Sequence, residues 1–125
     1  MILDTDILIW SARGNRCAIA LMEETIPFSI SSITMMELLQ GAKNRKDQNT
    51  IIRQFASWDI EIIDVSESIS ALAVQYIKEF SLSKGLSITD ALIAATVTER
   101  SEELLTGNEK HFQFIPGLKI KTFRP

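Results

Sequence analysis

Residues 1–10 read MILDTDILIW. The apolar run Met1-Ile2-Leu3 reads as a short buried strand, and Asp4 ends it. Ile7, Leu8 and Trp10 then follow helical spacing until Gly14-Asn15 stops the pattern. A strand thus passes almost at once into a helix, with two carboxylates at the junction. That junction poses two questions: which fold repeats this unit, and what Asp4 and Asp6 do there.

The remainder of the chain repeats the alternation. "CAIALMEE" is a second short helix, with Ile19, Met22 and Glu23 following its period. Pro27 bars continuation, and "PFSISS" alternates as a strand. "TMMELLQGA" is helical and closes at Gly41, "KNRKDQN" is a polar loop or helix start, and "TIIRQFASW" is amphipathic. "IEII" is a second buried strand. Ile69, Leu72, Ala73, Tyr76, Ile77 and Phe80 make one apolar helical face, which Gly85 ends. "TDALIAATVTER" is a helix of small residues suited to close packing. "ELLT" is a strand turned by Gly107-Asn108, and "LKIKTF" alternates as the last strand. Short apolar strands between helices imply a mostly parallel sheet covered on both faces, a three-layer α/β/α domain spanning residues 1–125. In such sheets ligands bind outside the carboxyl ends of the strands. Asp4 and the Thr106–Asn108 stretch both fall there.

Bulk properties are compatible with an enzyme of this class. The 125 residues suffice for one domain with a real core. No apolar run approaches the roughly 20 residues needed to cross a bilayer, and no basic segment leads into an apolar one as in a secretory signal. A single cysteine, Cys17, excludes an internal disulfide and suits a reducing cytoplasm. Cys17 reads as a small buried hydrophobe in its apolar stretch. The formal net charge of −3 weighs against a dedicated nucleic-acid binder with a large basic face. It leaves room for an enzyme whose own acidic site supplies part of that charge.

Four carboxylates interrupt apolar surroundings: Asp4, Asp6, Glu37 and Asp90. Singly, each has a structural reading. Asp6, or less readily Asp4, caps the helix beginning near Ile7. Thr34-x-x-Glu37 fits a capping box. Asp90, three residues after Ser87, suits the positive end of a helix dipole. Collectively they sit where chain elements enter or leave the sheet, so one strand-end cleft can hold them. Carboxylates crowded there repel, and a divalent cation relieves the repulsion. Oxygen donors without paired Cys or His point to Mg²⁺ or Mn²⁺ rather than zinc. Such a centre activates water and stabilises displacement at phosphate.

In that order and spacing, "LDTDILIW", "TMMELLQGA", "LSITDALIAAT" and "LLTGNEKHF" resemble the motifs of PIN-domain ribonucleases, most closely the VapC-like toxins of toxin–antitoxin pairs. The resemblance covers nearly the whole chain. By position it implies that Asp4, Glu37 and Asp90 hold the divalent metal and that Thr5 is the small polar residue beside the first acid. Thr106 and Asn108 match the polar pair after the fourth strand. Many relatives place a fourth acid at Asn108, and His111 stands where an aspartate is common; the number of metals is therefore in question. The resemblance also implies an RNA substrate, a homodimer, and a small antitoxin whose C-terminal segment covers the active site.

Other residues compete for roles. Asp64 ends "IEII" as Asp4 ends "MIL", but it also precedes Ser66, a helix cap. Asp59 and Glu61 belong to a loop and a strand rim. Lys43 to Lys46 form the one compact basic cluster, a solvated loop or an RNA-backbone contact, and Arg13 and Arg16 offer the same choice. Trp10 and Trp58 read as core. His111 is a general acid, a phosphate contact or a plain loop residue. Three functions stay open: a metal-dependent endoribonuclease toxin, as the resemblance implies; a phosphoacceptor signalling domain with Asp64 as acceptor; and a catalytically silent partner-binding domain.

Overall fold

The computed structural model describes all 125 residues. In chain order the elements are β1 (Ile2–Leu3), α1 (Thr5–Ala12), α2 (Arg16–Thr25), β2 (Phe28–Ser31), α3 (Ser32–Gln40), α4 (Arg45–Ser57), β3 (Ile60–Ile63), α5 (Glu67–Lys84), α6 (Ile88–Glu99), β4 (Glu103–Thr106), a single 3-10 turn (Glu109–His111) and β5 (Lys119–Thr122). All strand pairs are parallel, in the order β3-β2-β1-β4-β5. The two-residue β1 is therefore central. From β1 the chain winds outward through β2 and β3, then returns to β1's other side as β4. The reversal lies between β1 and β4, where open α/β sheets place their ligand crevice.

Alternating side chains of the central strands feed two separate cores. Ile2 and Leu104 join the Ile69, Ala73, Tyr76, Ala91 and Ala94 side chains of α5 and α6 on one face. Leu3 and Leu105 join Ile7, Leu8, Met22 and Phe55 from α1, α2 and α4 on the other. This is the three-layer arrangement the alternation implies. Ile2, Leu3, Leu104 and Leu105 are fully buried, each burial being worth roughly 1.5–3 kcal/mol.

Local chemistry sets the helix ends. Ser66 Oγ accepts from Ile69 N (3.2 Å) to open α5, and Gly85, at φ +71°, closes it in the left-handed region. Ser87 opens α6. Ala91, Ala94 and Ala95 are fully buried, so the small residues of α6 do let it lie close against α5 and the sheet.

"PFSISS" supplies the expected strand, β2, and all four of its residues are buried because β2 lies between β1 and β3 with both faces covered. Two expectations are corrected. "IEII" is not a buried strand: β3 is a sheet edge, and only Ile63 is buried while Ile62 is 43% exposed. Cys17 is exposed. On α2 the inward positions are Ala18 and Met22, one helical turn apart, which turns Cys17 and Ile19 outward. In addition, "KNRKDQN" and "TIIRQFASW" join into one helix, α4, capped by Asn44.

Candidate metal centre

Asp4 and Asp6 are both bonded to the end of β4, and Thr5 between them is bonded to α3. The extended backbone of β1 ends at Asp4 (ψ 156°), which is the N-cap of α1; Asp6 lies inside the first turn and is not the cap. Asp4 Oδ1 accepts from Thr5 N (2.8 Å) and Oδ2 accepts from the Thr106 hydroxyl at the end of β4 (2.8 Å). Thr5 Oγ1 donates to Glu37 Oε1 (2.8 Å) on α3 and stands 3.2 Å from the buried Thr34 hydroxyl. Asp6 Oδ2 accepts from Gly107 N (2.8 Å).

Asp4 is only 5% exposed. Burial, then the charge on Asp6, push its carboxyl up to about 7; the bonds from Thr106 and the Thr5 amide oppose the shift, and the charge on Asp90 adds to it. Asp6 is raised by burial against the counter-effect of the Gly107 amide. Its Oδ1 is the one buried side-chain oxygen or nitrogen in the protein without a hydrogen-bond partner.

Asp90 stands in the first turn of α6. Its amide donates to the cap oxygen Ser87 Oγ (3.2 Å), and its Oδ2 lies 3.2 Å from His111 Nδ1. Burial raises the Asp90 carboxyl, and His111 opposes that. Glu37 is no capping-box residue, since α3 opens at Ser31 and Glu37 lies beyond its first turn. Asn108 is exposed, and its amide donates to Thr106 Oγ1 (2.9 Å).

The Thr106 hydroxyl thus links Asp4 to the turn carrying Asn108, and Thr5 links the same motif to Glu37. Asp90 meets the cluster through its charge on Asp4 and is held by His111. Thr34 is an addition to the residues that the sequence points to, whereas Gly107 falls in the Thr106–Asn108 stretch already placed at the strand ends. Thr34 stands one helical turn before Glu37 and reaches Thr5 instead of capping a helix. Asp64 is exposed beside the edge strand β3, away from the reversal. The central-strand acceptor that a phosphoacceptor domain needs is therefore absent from that position.

The donors suit a hard divalent cation. They are carboxylate and hydroxyl oxygens, and the buried Asp4 carboxyl lacks a cationic partner. No three His, Cys, Asp or Glu side chains already converge at ligand distance. Enclosing a cation would therefore need side-chain rotation. Beside this cleft, α1, α3 and α4 frame a groove of about 660 Å³ that reaches Glu37 and is bordered by Ile9, Arg13, Lys43, Phe55 and Trp58. Trp58 packs edge-on to Phe55 at its floor, centroids 5.2 Å apart.

The family model of the PIN domain matches residues 1–116. Ribonuclease VapC19 of Mycobacterium tuberculosis is 30% identical over 125 residues, spanning 94% of this chain and 96% of that protein. The toxin–antitoxin complex from Klebsiella pneumoniae contains a chain that superimposes with a TM-score of 0.80 at 34% identity, covering 97% of this chain and 95% of its own. VapBC2 from Rickettsia felis, solved bound to a DNA fragment from the complex's promoter, gives 0.82 at 26% identity over 98% of both chains. The chain belongs to the PIN-domain family, among its VapC-like members.

Proposed function

We propose that the protein is a divalent-metal-dependent endoribonuclease that acts as the toxin of a toxin–antitoxin pair in the cytoplasm. The observation that carries this reading is the desolvated Asp4 carboxyl at the β1/β4 reversal, tied through Thr5 to Glu37 and sharing its field with Asp90. A protein stabilises such a cluster poorly unless a cation enters it. Membership in a family whose nucleases generally depend on divalent metal supports the same reading, as does likeness to Ribonuclease VapC19.

Asp4, Glu37 and Asp90 would hold Mg²⁺ or Mn²⁺, with Asn108 at the rim offering a neutral oxygen. The bound cation supplies a polarised water and neutralises charge on the phosphate. The protein's own part is positional. Thr5 fixes one Glu37 oxygen, Thr106 fixes Asp4, and His111 orients Asp90. Asn108→Asp adds a carboxylate at the rim and should tighten a second Mn²⁺ in calorimetric titration without RNA; no gain would remove Asn108 from the site.

A cognate antitoxin and a homodimer belong to this proposal, because the chain resembles toxins solved in complexes with antitoxins. Expression alone should arrest bacterial growth, Asp90→Asn should not, and co-expression of the neighbouring small reading frame should restore growth. Growth unaffected by soluble, RNA-cleaving protein would replace the toxin reading with a housekeeping nuclease.

A further inference from the structure

We propose that Asp6 is a positioning residue: its carboxylate fixes the Gly107–Asn108 turn at the rim of the acidic cleft, so the two aspartates of Asp4-Thr5-Asp6 divide cation binding and rim positioning between them. The hydrogen bond from Gly107 N to Asp6 Oδ2 is 2.8 Å long and joins residues 101 apart in sequence. The turn is bonded at both amides. Gly107 N goes to Asp6, and Asn108 N goes to Thr106 Oγ1, whose proton goes to Asp4.

Gly107 shows what that bond requires. Its φ is not among the positive values found at Gly14, Gly85 and Gly117, so backbone conformation does not call for glycine there. Space does. A Cβ at position 107 would stand 2.6 Å from Asp6 Oδ2, against 3.5 Å from the nearest other atom, Phe123 O. The missing side chain therefore admits the Asp6 carboxylate to the Gly107 amide. The bond holds Oδ2 at Gly107 and leaves only Oδ1 unpartnered, so the carboxylate cannot swing toward Asp4 and Asp90 without releasing Gly107, and the comparison of variants decides whether Oδ1 ligates.

An asparagine at position 6 keeps an acceptor oxygen for Gly107 but loses the charge; an alanine loses both. That difference separates positioning from ligation. Three forms are compared, wild type, Asp6→Asn and Asp6→Ala, with Gly107→Ala as the complementary intrusion. Amide hydrogen exchange of Gly107, resolved by NMR in the metal-free protein, should be about tenfold faster in Asp6→Ala and return toward wild type in Asp6→Asn. Leu105, inside β4, should be unchanged in all. Gly107→Ala should lower the melting temperature, and Asp6→Ala combined with it should recover part of that loss, because the atom in the way is gone. Mn²⁺ affinity, by titration calorimetry, should stay within about threefold in Asp6→Asn. RNA cleavage should fall roughly 10- to 100-fold in Asp6→Ala through the displaced rim, with most of it restored in Asp6→Asn.

Equal loss of Mn²⁺ affinity in Asp6→Asn and Asp6→Ala would make Asp6 a ligand and overturn the proposal. Unchanged Gly107 exchange in a folded Asp6→Ala would overturn it as well. The cleavage arm rests on the nuclease reading; the exchange and double-variant arms do not, so failure of that reading leaves the proposal still decided.

Discussion

Thr5 has a role that a carboxylate-only account of the cleft omits. Thr5 is 8% exposed and its hydroxyl donates to Glu37, so Thr5→Val keeps the shape and removes the donor. The loss should cost on the order of 1 kcal/mol of stability and weaken Mn²⁺ binding by a small factor, read by thermal melts and calorimetry; unchanged affinity would make Thr5 a packing residue. Asp4 gives a pH signature. Its folded-state carboxyl is raised from 3.8 to about 7, so ionising it in the fold is unfavourable. The stabilising contribution is complete below about pH 4 and is lost as pH rises through 7. Asp6 and Asp90 are shifted in the same direction. Metal-free protein should therefore lose melting temperature between about pH 4 and 7, Asp4→Asn should flatten that slope, and millimolar Mn²⁺ should raise the melting temperature most at the alkaline end. A flat wild-type profile would contradict the buried charge. Asp4, Glu37 and Asp90 stand out in sequence because charge in apolar runs is costly and needs a reason. The Asp6–Gly107 bond does not, because a glycine needed for space leaves the same mark in sequence as one needed for φ.

At the scale of elements, periodicity reported packing faces wherever a helix covered them. α5 and α6 came out as read, since Ile69, Ala73 and Tyr76 and the alanines of α6 are core. β3 did not. An apolar "IEII" reads alike at an edge or a centre, and strand order, set by long-range pairing, decides which. Cys17 misled for a similar reason: α2 is apolar on more than one side, and only contact with α1 shows that Ala18 and Met22 face inward. The close fit of α6 is testable. Ala94 is fully buried, so Ala94→Leu should destabilise by about 1–3 kcal/mol through overpacking, whereas Ala20→Leu on the exposed side of α2 should change stability by less than about 0.5 kcal/mol. Chemical denaturation reads both. A neutral Ala94→Leu would mean that α6 has slack the structure does not show.

Over the whole molecule, chain order places the acids at one end. β1 is central, β2–β3 and β4–β5 wind away from it on opposite sides, and the reversal puts the ends of β1 and β4 side by side. Asp4 arrives with β1, Thr106 with β4, Glu37 with the helix after β2, and Asp90 with the helix before β4, so four distant stretches meet at one cleft. No helix is long and apolar enough to cross a membrane. The proposed function requires that this cleft take a divalent cation and cut RNA with it. The direct measurement is cleavage of a mixed RNA substrate by purified protein in Mn²⁺ and in excess chelator, for wild type and for Asp90→Asn of matched circular dichroism. Cleavage is expected only from wild type and only with Mn²⁺. Cleavage that survives the chelator, or near-normal cleavage by folded Asp90→Asn, would contradict it.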